Sequence, residues 1–428
     1  MRMLDDAVGT HARPVPLLRS LSFLRLWTGT MASGVATWAL PFVLGLAVLD
    51  RSLTAAELGV LLATRTAGFL VAVPVGGVLA DRYSRRRTVL GSGLMAAVAA
   101  PVMAMSLGRS LLLAAVAAAV MGAGQGACRP VFQALTAEVV AEPQRQQANA
   151  AITLAVRVTT LVAPTLTALL AAVVSTPVLL WGVGALWLVA ALIPPAGAGS
   201  PVPSATRPNV LAEFADGVRE ARRHPWFLAG LAALTAVITT GYSATFVVLP
   251  LVSRDRYDNE AVLAAAMTTY TIGALVGAMI IARWRPRAQG WAALAGLSLY
   301  GFAPLSLLLP VHPGLIIAAY VLAGIGVELF NVPWFTAAQR EIEPAKLARV
   351  SSLDFLLSYG LAPVGLALIA PAIDQFGATA VLAVCAVVCF AAPAAAALVP
   401  SSHGFTVADE RRVPGRRDRV RTRPPVPG

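Results

Sequence analysis

The chain has 428 residues, of which 57% are hydrophobic and only 13% are charged, and its mean hydropathy is +0.74. Because soluble proteins carry charge at about a quarter of their positions, this composition excludes an ordinary soluble domain and indicates a membrane protein. A net charge of +12 would also suit nucleic acid. Here, however, the arginines form short clusters between apolar runs, not one basic face with aromatic residues in it. We therefore expect a lipid bilayer as partner and no nucleic acid.

Apolar runs recur along the chain, each near the length of about 20 residues that a helix needs to cross a bilayer. The first run is too long, and too clearly the start of a series, to be a cleaved signal peptide. The sequence predicts twelve spans, at 22–49, 57–80, 88–107, 110–131, 149–171, 177–194, 226–251, 260–282, 289–309, 314–338, 353–373 and 378–400.

Basic residues are distributed unequally between the two sides of these spans. Of the 33 arginines and lysines, 27 lie in the two terminal segments, in the loops that follow every second span, or at the span ends next to them. The opposite loops carry only Arg51, Arg109, Arg254 and Arg256. Because basic loops stay in the cytoplasm, we expect both termini to be cytoplasmic and the protein to lie in the inner (cytoplasmic) membrane.

The spans divide into two sets of six. In the polar connection between them, Leu211, Phe214 and Val218 share one face of a helix over 210–223, and we expect this amphipathic helix to lie at the inner membrane surface. The predicted organisation is a cytoplasmic segment at 1–21, a bundle at 22–194, a linker at 195–225, a bundle at 226–400 and a disordered basic tail at 401–428.

The two sets of spans resemble each other at a separation of about 200 residues. Glu142-Pro143 corresponds to Glu343-Pro344, and "GAGQG" at 122–126 corresponds to "GIG" at 324–326. Parallel repeats of six helices build transporters that rock about a central site. The repeat therefore favours a transporter.

A motif follows the second span, where "GGVLADRYSRRRTVL" at 76–90 places one aspartate among four arginines. It resembles the loop signature G-x-L-x-D-R-x-G-R-R/K of the major facilitator superfamily, with Ser84 in place of the usual glycine. Two further stretches, at 129–150 and 329–365, resemble the multidrug, macrolide and siderophore exporters of that family. The resemblance implies an all-α integral membrane fold of two pseudo-symmetric six-helix bundles. The matched motif residues are Gly77, Leu79, Asp81, Arg82, Arg85 and Arg86.

By this resemblance, Asp81 acts as a latch between the halves. It is expected to face the start of span 11 near Ser351–Leu353, where a helix N-terminus favours an anion, and also Arg129 at the inner end of span 4. The alternative is that Asp81 merely ends span 2 and that Arg85, Arg86 and Arg87 only keep their loop in the cytoplasm.

The chain departs from the exporter branch in three places. That branch often has an acidic residue near Ala36 and an Asp/Arg pair near Gly93 and Ala96, and neither is present. The antiporter-type G-P-x-x-G motif of span 5 is reduced to Ala163-Pro164. Substrate and coupling ion therefore do not follow from relatives.

Three ionisable residues lie well inside spans: Arg65, Arg157 and Glu328. Such residues are costly in a bilayer and normally face a partner or water. Arg157 and Glu328 are at similar depths in opposite halves, so we expect an ion pair between them. The pair is either state-dependent, with Glu328 alternating between a proton and Arg157, or a static bridge. Arg65 has no acid at its depth and is expected to meet an anionic substrate or a backbone carbonyl.

In the major facilitator fold, spans 1, 4, 7 and 10 line a central cavity. Aromatic and polar residues near the midpoints of these spans suit a bulky amphipathic ligand, although each aromatic residue is as easily explained by packing. The candidates are Trp38, Gln125, Tyr242, Asn331 and Trp334, beside Glu328.

The single lysine, Lys346, is not in a Gly-x-x-x-x-Gly-Lys phosphate loop, so ATP is not expected to drive this chain. The four histidines lie outside the spans, and we expect no enzyme activity, cofactor or metal site. The resemblance then implies proton-coupled efflux of a drug-like or secondary-metabolite compound by alternating access. The alternatives are an importer of a small organic solute and a membrane sensor that transports nothing.

Overall fold

The computed structural model describes residues 16–197, 210–258 and 261–406. The first half comprises α1 (Leu21–Leu49), α2 (Ala55–Arg82), α3 (Arg85–Ser106), α4 (Leu111–Val139), α5 (Arg145–Ala171) and α6 (Thr176–Leu192), and α7 (Val210–Arg222) follows in the linker. The second half comprises α8 (Pro225–Ala236), α9 (Ser243–Tyr257), α10 (Ala261–Arg283), α11 (Gln289–Ser298), α12 (Phe302–Leu308), α13 (Pro313–Glu341), α14 (Leu347–Gly360), α15 (Ala362–Phe376) and α16 (Ala378–Ala397).

Within the described residues, ten continuous helical stretches are long and apolar enough to cross a bilayer. One of them joins α8 and α9 through a π-helical turn, and another joins α11 and α12 through a 3-10 turn. Two shorter apolar helices, Thr176–Leu192 and Val364–Phe376, lie at the remaining predicted spans. The predicted all-α fold of twelve spans in two six-helix bundles is confirmed.

Span 11 consists of two helices, α14 and α15. The two helices meet at Leu361, and a proline stands in the first turn of α15. A proline has no backbone N–H to donate to the preceding turn, and it fits the first turn of a helix, where that N–H has no partner within the helix. The chain therefore starts a second helix here.

Polar residues explain where several of the long helices begin. The hydroxyl of Thr54 accepts a hydrogen bond from the backbone N–H of Glu57, whose carboxylate accepts one from the backbone N–H of Thr54. This capping box starts α2, and Ser20 and Ser110 accept similar bonds at the starts of α1 and α4. Beyond these caps the helices are largely apolar, so they face lipid with leucine and valine side chains.

Gly122 and Gly126 of "GAGQG" lie at a close contact between α2 and α4. A Cβ atom on Gly122 would lie 1.9 Å from the backbone oxygen of Arg65, so only glycine allows this approach. Gly324 of α13 makes the equivalent contact with Tyr270 of α10, where the corresponding distance is 2.0 Å. Both halves thus use small residues to bring two spanning helices together.

The end of the bundle at which α2 ends and α3 begins is called the motif end below. At this end α7 packs across α2 and α14, so its apolar face contacts protein and not the membrane surface expected from the sequence. Phe214 and Val218 pack against the protein core. Glu213 and Glu220 are buried, because they meet basic side chains of the protein.

The predicted terminal segments lie mostly outside the described residues. Part of the predicted disordered tail is folded, however, because Pro400–His403 form a 3-10 turn. Phe405 is fully buried against Trp226 and Trp334, at ring distances of 5.3 and 5.7 Å. Disorder from residue 401 is therefore wrong for these first residues, since an aromatic anchor holds them.

Candidate functional site

A cavity of about 350 Å³ lies between the two halves at mid-depth of the spans. Helices α1, α4 and α5 line it from the first half, and α10, α13, α14 and the α8–α9 stretch line it from the second. Hydroxyl and amide groups alternate with aromatic rings, and the charged residues of its wall are Arg129, Arg157 and Glu328. This size and mixed lining are typical of sites for small organic ligands.

Of the residues predicted to line the cavity, Trp38, Gln125, Tyr242 and Asn331 do so. Trp334 does not, and this prediction is wrong. It is fully buried and stacks on Phe227, with ring centroids 4.8 Å apart. At 3.6 residues per turn, six residues rotate it by about 120° from Glu328 around the axis of α13. Trp334 therefore faces the aromatic core of the second half.

Arg157 of α5 and Glu328 of α13 form an ion pair across the two halves. The Nη2 and Nε atoms of Arg157 lie 2.5 and 2.6 Å from Oε1 of Glu328. The Glu328 carboxylate is almost fully buried, and the Arg157 guanidinium also lies over the ring of Tyr270. Short charge-assisted bonds of this kind are the strong ones, so the pair ties the halves together at the cavity wall.

Arg65 reaches two groups at the back of the cavity wall. It donates to the backbone oxygen of Thr37 over 3.2 Å and to Oε1 of Gln125 over 2.7 Å. The expected backbone carbonyl is thus present. Gln125 was expected only as a cavity residue, and here it is also the partner that holds Arg65.

Asp81 lies at the interface between α2 and α14. Its Oδ2 accepts a hydrogen bond from the backbone N–H of Arg349 over 3.1 Å, and the Nε of Arg349 lies 3.5 Å away. The contact is thus made in the first turn of α14, slightly before the predicted Ser351–Leu353. Nη2 of Arg85 lies 3.8 Å from the other carboxylate oxygen, whereas Arg129 lines the cavity.

Gly77 allows α2 and α14 to approach each other at this point. A Cβ atom there would lie 2.7 Å from the backbone oxygen of Ala348 and 2.8 Å from Oγ of Ser352. The motif glycine and the motif aspartate therefore serve one contact between the halves.

The motif arginines bind specific groups instead of only facing solvent. Arg85 is buried and donates to the backbone oxygens of Ala134, over 2.9 Å, and of Pro344. It also pairs with Glu138 over 2.7 Å. Arg86 donates to the last carbonyls of α6, and Arg82 lies 3.8 Å from Glu213 of the linker helix.

A layer of amide side chains between the cavity and the motif end was missed from the sequence. The Nδ2 of Asn149 on α5 donates to Oγ1 of Thr336 and to Oε1 of Gln339 on α13, over 2.9 and 3.0 Å. Gln146 donates to the backbone oxygen of Ile281 on α10 over 2.5 Å. The available signal was the polar run "RQQANA" at the start of an otherwise apolar helix.

The described contacts that join the two halves lie between the level of the cavity and the motif end. The structure therefore represents a conformation whose halves are joined on the motif side. The linker helix adds to this closure, because Glu213 also pairs with Arg349 at 3.5 Å and Glu220 with Lys346 at 2.9 Å.

Two groups of this linker contact have shifted pKa values. Burial acts to raise the pKa of Glu220, but the hydrogen bond and charge of Lys346 and its other basic neighbours hold that pKa below its usual value. Hydrogen bonds to Glu343 and Glu220 raise the pKa of Lys346. Each shift favours the charged form, so the pair is ionised near neutral pH.

Among the described residues, no cluster of histidine, cysteine and acidic side chains is suited to a metal ion.

The sequence matches the family model of the Major Facilitator Superfamily over residues 26–365. The chain therefore belongs to this family of multi-pass membrane transporters. No curated protein matches the sequence.

Solved structures with this fold resemble the chain over most of its length. The human organic anion transporter MFSD10 (TETRAN) has a TM-score of 0.70 and 16% sequence identity, covering 89% of this chain and 100% of its own. The transporter FucP in the outward conformation has a TM-score of 0.66 and 16% identity, with 88% and 99% covered. A variant of the E. coli fucose:proton symporter FucP has a TM-score of 0.65 at the same identity and coverage. At this identity the similarity establishes the fold alone.

Proposed function

We propose that this protein is a secondary active transporter that exports a drug-like or secondary-metabolite compound, with siderophores included in that class, in exchange for protons. In this proposal it lies in the cytoplasmic membrane with the motif end and both termini in the cytosol. The excess of basic residues on that side supports the orientation.

The observation that carries the proposal is the ion pair between Arg157 and Glu328. Each partner belongs to a different half, and both line the central cavity. When the halves separate on the motif side, the pair must break, and a buried carboxylate without its arginine is costly. A proton on Glu328 removes that cost, so proton binding and rocking of the halves are coupled at one residue.

In this proposal Asp81 acts as a latch that keeps the motif side closed. It holds the first turn of α14 against α2, and the amide layer and linker helix close the same side. Opening towards the cytosol requires all of these contacts to break. Ligand entry from the cytosol and release on the opposite side then alternate.

Everted membrane vesicles test the proposal. With a panel of fluorescent drug-like compounds, export predicts accumulation inside everted vesicles when their lumen is acidified. Glu328→Gln is expected to remove the response to the proton gradient, and Asp374→Asn, which alters an exposed carboxylate of α15, to retain it. A Glu328→Gln protein with an undiminished response to pH would exclude Glu328 as the proton carrier.

Import of a small solute is the second candidate, because one structurally similar protein is described as a fucose:proton symporter. It predicts uptake into right-side-out vesicles under an inward proton gradient and no accumulation in everted ones. A sensor predicts no flux in either preparation.

A further inference from the structure

We propose that the cavity contains an anion subsite on α4, formed by Gln125 and Arg129 and supported from behind by Arg65, and that the transported compound is an amphipathic organic anion. The inference rests on the proposed transport function, because it names the class of compound that the same cavity takes. Carboxylate, sulfonate and phosphate groups share the required chemistry.

The charge of the cavity is the first argument. Its wall contains two arginines and one carboxylate, and that carboxylate, Glu328, already contacts Arg157. Arg65 adds a third guanidinium directly behind the wall, close enough for its charge and that of Arg129 to repel each other. The guanidinium groups at this wall thus outnumber its carboxylates, and the anionic group of a ligand is stabilised beside them inside a membrane, where charged groups normally face a partner or water.

The orientation of Gln125 is the second argument. A guanidinium group only donates hydrogen bonds, so its contact with Arg65 must use the amide oxygen of Gln125, 2.7 Å away. The NH₂ group is turned away from Arg65, and the structure, over the residues it describes, gives it no protein acceptor. Gln125 therefore offers two donors at the cavity wall.

The position of these groups on α4 is the third argument. Gln125 and Arg129 are four residues apart, so they share one face of the helix, and both line the cavity. The contact of Gly122 with the backbone of Arg65 keeps α2 against α4, which holds the Arg65 guanidinium behind Gln125. The site is thus built by the packing of two helices.

The rest of the wall fits the apolar body of such a compound. Trp38, Tyr242, Phe335 and Phe355 present aromatic rings to the same cavity. A ligand with an anionic group at α4 and a flat apolar body towards these rings satisfies both parts of the wall.

Three probes with one ring system test the inference: 1-pyrenesulfonate, 1-pyrenemethylamine and 1-pyrenemethanol. Binding to the purified full-length protein is followed by energy transfer from tryptophan, with protein-free detergent micelles as background. We expect the sulfonate to bind at least about tenfold more tightly than the amine, a difference of about 1.4 kcal/mol. Arg129→Gln is expected to remove most of this preference and to change affinity for the alcohol less than about twofold, which is within 0.4 kcal/mol.

Two further variants keep the test independent of folding defects. Gln125→Glu retains a partner for Arg65 but places a carboxylate in the subsite, so sulfonate binding is expected to be lost while thermal stability is kept. Arg129→Lys retains the charge and is expected to restore part of the sulfonate preference. Arg19→Gln, which removes one exposed arginine before α1, serves as the matched control.

The inference is overturned if the amine binds as tightly as the sulfonate, if no probe binds, or if Arg129→Gln weakens all three probes equally. Vesicle flux is measured separately. Sulfonate preference without flux would contradict the transport proposal alone, whereas flux without sulfonate preference would contradict the anion subsite alone.

Discussion

Asp81, near the end of α2, accepts a hydrogen bond from the backbone N–H of Arg349 in the first turn of α14. A side chain of the first half thus caps a helix of the second, whose own N-cap residue, Lys346, makes no side-chain cap. Capping of a helix N-terminus by an anion is stabilising. Because this cap exists only while the halves are joined, it stabilises one conformation of the transporter and not the other.

Asp81→Asn is expected to shift the protein towards conformations that are open on the motif side. Asparagine keeps the shape but removes the charge from a helix N-terminus and from two arginines, which we expect to cost about 1–2 kcal/mol. That corresponds to a shift of roughly tenfold in the ratio of closed to open protein. The measurement is the distance between spin labels at Ala141 and Arg287, exposed residues on the motif side of each half.

The control for this variant is Asp374→Asn. It removes an exposed carboxylate near the C-terminal end of α15, away from the motif end. It is expected to leave the label distances unchanged. Equal distance distributions for Asp81→Asn and the unmodified protein would show that Asp81 does not keep the motif side closed.

Gly77→Ala is expected to act in the same direction as Asp81→Asn. Its new methyl group would lie 2.7 Å from the backbone oxygen of Ala348, so α2 and α14 must move apart. Gly91→Ala is the matched control, because a Cβ atom at Gly91 meets nothing within 4 Å. In a helix, alanine is favoured over glycine by about 1 kcal/mol. Gly91→Ala is therefore expected to unfold at an equal or higher temperature than the unmodified protein. Gly77→Ala is expected to open the motif side, as measured by the same spin-label distances. Identical behaviour of the two variants would contradict the close contact.

The Arg157–Glu328 pair is expected to be strongly coupled in a double-mutant cycle. Arg157→Gln leaves a buried carboxylate without its cation, and loss of one partner of a buried pair typically costs about 3–5 kcal/mol. The double variant Arg157→Gln/Glu328→Gln removes both charges and is expected to recover much of the stability. Thermal unfolding in detergent measures each corner of the cycle, and additive effects of the two substitutions would show that the pair is not coupled.

The contact between Glu220 and Lys346 is expected to depend on pH at both extremes. The folded pKa of Glu220 is lowered, so its stabilising contribution is present above its unfolded pKa of about 4.3 and is lost as pH falls through the folded pKa. The folded pKa of Lys346 is raised, so its contribution is present below its unfolded pKa of about 10.4 and is lost as pH rises through the folded pKa.

Thermal unfolding of the unmodified protein and of Glu220→Gln, recorded from pH 3 to 10, tests this dependence. The difference between the two melting temperatures is expected to be constant between about pH 5 and 9 and to shrink in acid. Arg222→Gln, on the exposed face of the same helix, is the control. A difference that persists unchanged at pH 3 would contradict the role of the charged carboxylate.

Depth and hydrophobic pattern made much of the architecture predictable from sequence. The spans follow from apolar length, and the contact of Arg157 with Glu328 follows from equal depth and opposite charge. The family motif placed Asp81 against the start of span 11, which is α14. These inferences need only position along a helix, which the sequence contains directly.

Rotation about a helix axis and contacts between loops were not predictable in the same way. Trp334 lies at a plausible depth but faces away from the cavity, and only its aromatic neighbours reveal this. The sequence did not indicate that Glu213 and Glu220 of α7 are buried, because their partners Arg349 and Lys346 are distant in sequence. The contacts of Asn149 with α13 also could not be predicted without knowing how the helices pack.

In the proposed mechanism, the two bundles rock about the cavity under the control of a proton on Glu328. Spin-label distances on the motif side (Ala141 and Arg287) and on the opposite side (Arg109 and Pro310) test it most directly, because all four positions are exposed. We expect that lowering the pH, or Glu328→Gln at neutral pH, lengthens the first distance and shortens the second. If the two distances stay constant, or change in the same direction, the rocking mechanism is contradicted.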